Sequence, residues 1–116
     1  MIRVLSIVLL LIVATEPARA ALAVAISPSG GAVLSSRWAD MNYAKSDAKR
    51  ECHHRYGSTG EVIASRPGGC VAIGSDGSKW AVVKTKHQSE LDAAALDGCK
   101  AKGGGNCRVM LRHCGS

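Results

Sequence analysis

The hydrophobic positions of this chain fall into one long N-terminal run and then into short runs separated by glycine-rich or charged stretches. Gly31 to Ser36 is a brief apolar segment that reads as a strand, with Trp38 just beyond it. Ahead of it, residues 21–30 mix small, polar and apolar side chains and run into Ser27-Pro28-Ser29-Gly30-Gly31, which predicts a flexible lead-in. The period then changes. Ala44, Ala48, Cys52 and Tyr56 recur every four residues while Asp47, Lys49, Arg50 and Glu51 lie off that stripe, so a helix is predicted from Ser46 to about Tyr56. Gly57 is placed to end it in the left-handed conformation that an L side chain resists. Glu61 to Ser65 is the next predicted strand, closed by Pro67-Gly68-Gly69.

The second half follows a similar order. Cys70 to Gly74 and Lys79 to Lys84 read as strands joined through Ser75-Asp76-Gly77-Ser78, where an Asp-Gly pair between apolar runs signals a hairpin. Ser89 followed by Asp92 resembles a capping box. The helix it opens runs to about Ala101, with Leu91, Ala94, Ala95, Gly98 and Cys99 at helical spacing and Gly103-Gly104-Gly105 behind it. Cys107 to His113 is the last predicted strand. Aligning the halves sets Trp38 against Trp80, Cys52 against Cys99, Glu61-Val62-Ile63 against Cys107-Arg108-Val109, and Cys70 against Cys114. A repeat of about 45 residues implies duplicated β-α-β units. The expected fold is α+β: an antiparallel sheet with two helices packed on one face, repeat one about 31–69 and repeat two about 70–116.

The N-terminal run changes the compartment. Arg3, the apolar stretch Val4 to Ala14, the breaker Pro17 and the small-x-small Ala18-Arg19-Ala20 read as a secretory signal peptide over residues 1–20. Cleavage after Ala23 is the alternative site. The run is shorter than the about 20 apolar residues a membrane-spanning helix needs, so no stable span is expected after cleavage. A secreted or periplasmic protein follows, where disulfides persist. Beyond residue 20 the chain holds 13 basic and 8 acidic residues, interspersed through a basic but unclustered surface. At 116 residues there is room for one domain. Phe is absent and the aromatics are Trp38, Tyr43, Tyr56 and Trp80, so Ala, Val, Ile, Leu and Cys must build the core.

All five cysteines (Cys52, Cys70, Cys99, Cys107 and Cys114) follow the leader. Two bridges among five cysteines can be drawn about 15 ways, and the repeat narrows them. Cys99 lies near the end of a helix whose returning strand starts at Cys107, and Cys70 and Cys114 hold corresponding places in the two halves. The expected bridges are Cys99–Cys107 and Cys70–Cys114, with Cys52 a buried free thiol because its counterpart partner position is Glu61. The sharper reading of Cys52 is a reactive thiolate supported by His53 or His54, which the nearby helix C-terminus opposes.

Other chemistry finds little footing. Cys52-His53-His54 and His113-Cys114 lack the one-face spacing of a helical metal site, and no metal or cofactor is expected. Gly74 to Lys79 lacks the Walker spacing and reads as a turn. No Cys-x-x-Cys and no Gly-x-Ser-x-Gly occurs. Nucleic-acid binding would need stacking platforms on a basic face, and Trp38 and Trp80 are expected in the core.

Leu91 to Cys99, the glycine turn and Cys107-Arg108-Val109, together with Gly68 to Ala72 and Lys79-Trp80-Ala81, resemble the bacterial secreted proteins grouped as domain of unknown function 4189. The resemblance covers roughly 31–115 and departs from the family pattern at Glu61, where a cysteine is common. It implies a secreted α+β domain with paired cysteines and no defined catalytic residue or ligand. The expected function is a non-enzymatic protein-interaction domain of inhibitor or effector type with an unidentified protein partner. The alternative is an envelope-associated enzyme or thiol-active protein using Cys52 with His53 or His54.

Overall fold

In the computed structural model, which describes residues 20–115, the order is β1 (Ala21–Ile26), β2 (Ala32–Trp38), α1 (Met41–Tyr56), β3 (Val62–Ser65), β4 (Cys70–Ser75), β5 (Trp80–Thr85), a 3-10 turn (Gln88–Glu90), α2 (Leu91–Ala101) and β6 (Arg108–Cys114). The leader read from residues 1–19 lies outside the described residues. Among those described, no helix is long and apolar enough to cross a membrane. The strands make two antiparallel three-stranded sheets, β2-β1-β3 and β5-β4-β6. Each half is therefore strand, strand, helix, strand, and its first strand is central.

The six residues of β1 correct the flexible lead-in expected over 21–30: they are wholly buried and pair with both β2 and β3. The reason is visible in Ala-Leu-Ala-Val-Ala-Ile. A strand covered on both faces needs no polar side chains, so its signal is alternation of small with large rather than of polar with apolar. Leu22, Val24 and Ile26 meet Val71 and Ile73 of β4 between the sheets, with Trp80, Val82 and Leu111 around them. Ala21, Ala23 and Ala25 face the other way, onto Ala44, Ala48 and Cys52 of α1. The second half does the same, with Cys70 and Ala72 beneath Leu91 and Ala95 of α2. The result is a helix–sheet–sheet–helix stack. The α+β, antiparallel, duplicated character stands, but the strands divide between two sheets, and each helix covers the outer face of its own instead of sharing one face.

Small residues at both helix–sheet contacts let the helices approach closely. Gly74 is the extreme case, since a Cβ there would lie 2.0 Å from the Ala95 carbonyl oxygen. With β1 matched to β4, Trp80 at the start of β5 corresponds to Ala32, not to Trp38 at the far end of β2. Cys70 likewise corresponds to Ala21 rather than to Cys114. The helical triplets Ala44-Ala48-Cys52 and Leu91-Ala95-Cys99 do coincide, and all six residues are buried.

Local ends follow local chemistry. Helix α1 starts five positions before the expected Ser46 because the Asp40 carboxylate caps it, accepting the Asn42 and Tyr43 amides at 2.6 and 3.3 Å. Gly57 ends it at φ 82°, donating to the His53 carbonyl at 2.8 Å. The Ser89–Asp92 capping box does not form. A 3-10 turn leads into α2 without a side-chain cap, and Asp92 instead accepts Arg112 Nη1 of β6 on both oxygens, at 2.9 and 2.8 Å. In the β4–β5 turn only Gly77 takes positive φ. Asp76 organises that turn by accepting the amides of Ser78 and Lys79, and it reaches the Gly105 amide in the α2–β6 loop at 3.0 Å. These three amides hold its carboxyl well below the usual carboxylate range.

Candidate interaction site

Strand β2 presents Val33, Ser35 and Arg37 in one row, by the two-residue period of a strand. Val33 packs beneath α1, but the next position of that row is a buried serine. The helix explains it. Asp47 stands three residues after Ala44, on the buried side of α1, with its side chain only 5% exposed. The four-residue stripe left Asp47 off the apolar face; i, i+3 spacing from Ala44 was the signal that located it on the inner flank. Ser35 Oγ donates to Asp47 Oδ2 at 2.8 Å, while Arg37 and Arg50 donate to Oδ1 at 3.1 and 2.8 Å. Both arginines remain largely exposed, so a buried anion fixes two surface cations.

Burial alone would raise the Asp47 pKa. Hydrogen bonds from Arg37, Ser35 and Trp38 and the charge of Arg37 outweigh it and hold the carboxyl at about 2. A folded value below the unfolded 3.8 means stability that is complete above the unfolded value and lost as pH falls toward 2. Solvent screening of the arginines trims the contribution to about 1–2 kcal/mol. Asp47→Asn should therefore be destabilised by that amount at pH 7, and its deficit relative to wild type should shrink between about pH 5 and pH 2, read by urea unfolding across pH. A deficit independent of pH would contradict this assignment.

Next to this hub lies an aromatic corner. Trp38 ends β2 and Tyr43 sits in the first turn of α1, their ring centroids 5.7 Å apart, and the Arg37 guanidinium lies 5.8 Å from the Trp38 centroid. Trp38 is 37% and Tyr43 64% exposed, which corrects the expectation that Trp38 belongs to the core. Trp80 is half-buried against the inter-sheet core. Beside the corner, a cleft of about 350 Å3 runs between β2 and the Asp47, Glu51 and Arg55 side of α1.

The structure brings together two of the cysteine pairs. Cys70 and Cys114 are directly opposite across β4 and β6, Cα atoms 4.0 Å apart and sulfurs bonded at 2.02 Å. Cys99 and Cys107 join α2 to the loop before β6, with Cα atoms 6.0 Å apart. Cys52 is free and fully buried, its sulfur 3.6 Å from the Ser58 carbonyl oxygen. His53 and His54 are both exposed on the last turns of α1, and His113 is exposed beside Cys114.

A family model described as "Domain of unknown function (DUF4189)" matches residues 21–114. The matched span opens on the first residue of β1 and closes on the last residue of β6. No curated protein and no solved structure matches the chain.

Proposed function

The chain belongs to the family of the domain of unknown function DUF4189, and we propose that it is a non-enzymatic interaction domain that binds a protein partner outside the cytosol. The observation that carries this reading is the exposed Arg37–Trp38–Tyr43 corner braced by buried Asp47. Trp, Tyr and Arg are the residues most enriched where binding energy concentrates, and rigid side chains lose little entropy on docking. Two disulfides in a small domain favour an oxidising compartment, periplasmic or extracellular, and the leader read from residues 1–20 agrees with it. The thiol-enzyme alternative is disfavoured because Cys52 is enclosed while His53 and His54 are exposed.

The test is affinity capture from envelope and culture fluid with the mature chain, beside Trp38→Ala and Tyr43→Ala forms. A partner held by the wild type should bind either variant at least tenfold more weakly. Equal capture by all three would refute the corner as the contact. Thiol labelling separates the alternative: Cys52 should react slowly in the native chain and rapidly in denaturant, because only an opened molecule exposes it. Fast native labelling with a depressed apparent pKa would support thiol chemistry instead.

A further inference from the structure

A second site lies where the two repeats meet. Met41, Ser65, Arg66 and Gly69 from the first repeat and Lys84, Thr85 and Lys86 from the second line a cleft of about 580 Å3. Three cations border it and no carboxylate does. Among the described residues Arg66, Lys84 and Lys86, like Lys45, Lys49, Lys79, Lys100 and Arg108, have no carboxylate partner, but only these three border one cleft together. Like charges gathered around a concavity repel one another and focus a positive potential into it.

The neutral side-chain donors are already engaged: Thr85 Oγ1 donates to the His87 carbonyl at 2.8 Å, and Ser65 Oγ donates to the Arg66 carbonyl at 3.1 Å. Recognition therefore falls to one guanidinium fork and two ammonium groups. A carboxylate would bring a single negative charge against these three cations, leaving most of their repulsion unanswered. A terminal phosphoryl group brings about two negative charges and three strong acceptor oxygens, enough to engage all three cations, and its remaining bond can carry an apolar portion along Met41.

From this geometry we infer that the cleft binds a phosphoryl group, borne either by a small soluble molecule or by a lipid headgroup. The site exists only when both repeats are packed together, and its inner wall is anchored by Cys70, which follows Gly69 and pairs in register with Thr85.

The experiment titrates the oxidised mature chain with inorganic phosphate and pyrophosphate by heteronuclear NMR, and with phosphatidic acid or phosphatidylcholine vesicles by sedimentation. Saturable shifts centred on the Arg66, Gly69 and Thr85 amides are expected, and Lys84→Gln with Lys86→Gln should weaken binding at least tenfold. Lys45→Gln with Lys49→Gln removes the same charge from the exposed face of α1 and should change binding less than twofold. Pyrophosphate saturation without vesicle binding assigns a soluble ligand. Sedimentation with phosphatidic acid alone, lost in the Lys84/Lys86 variant, assigns a headgroup. Absence of saturable binding to every probe, or equal weakening by the two lysine pairs, overturns the inference.

Discussion

Converting Cys70 and Cys114 together to alanine is expected to lower unfolding free energy by about 4 kcal/mol on the chain-entropy model. The bridge spans 44 residues of sequence and ties the central strand of the second sheet to its edge. Removing Cys99–Cys107, which spans 8 residues, should cost less, about 2.5 kcal/mol. For a domain of this size, whose total stability is expected at about 5–10 kcal/mol, the longer bridge accounts for a large part of it. In thermal melts the Cys70/Cys114 variant should fall by about 15–30 °C, and urea midpoints of the two variants should keep the same order. The reverse order would show that the loop through α2 contributes more than chain entropy allows.

Gly74→Ala is expected to be the most damaging single methyl in the chain. The added Cβ would meet the Ala95 carbonyl carbon and oxygen at 2.7 and 2.0 Å, backbone atoms that no rotamer change can move. Helix α2 must then lift from β4, which opens the Leu91–Ala95 contact with Cys70 and Ala72. Overpacking against rigid backbone belongs at the top of the usual range, about 3 kcal/mol or more. Gly105→Ala is the matching control, because a Cβ there meets nothing within 4 Å and the amide that binds Asp76 is kept. It should stay within about 0.5 kcal/mol of wild type. A Gly74→Ala chain as stable as the control would show that α2 does not sit on the sheet as closely as described.

Both predictions concern the second half, where the sequence was also easier to read. The Cys70 to Ser75 strand is bounded by Gly68-Gly69 and by Asp76-Gly77, so turn chemistry outlined it even though all six of its residues are buried. Strand β1 has no such frame on its N-terminal side and abuts the small residues of the leader, so the same small-large alternation passed for a lead-in. Missing it displaced the alignment of the repeats and set the two tryptophans in false correspondence. The candidate site was hidden for a related reason: Ser35 and Asp47 look solvated one at a time, and only their facing each other across β2 and α1 makes burial favourable.

The sequence by itself determined the elements whose signals are local: the two helices from their four-residue stripes, Gly57 as a cap, and most strands from their turn residues. Cysteine placement also pointed to the sulfur pairs the fold brings together, because each pair closes a short or corresponding segment. Only the tertiary structure decided that the strands separate into two sheets, that Ala21 to Ile26 is a central strand, and that Asp47 is a buried hub. Those outcomes depend on which surface covers a residue from the other side, and a neighbour far away in the chain leaves no period in the residues it will bury.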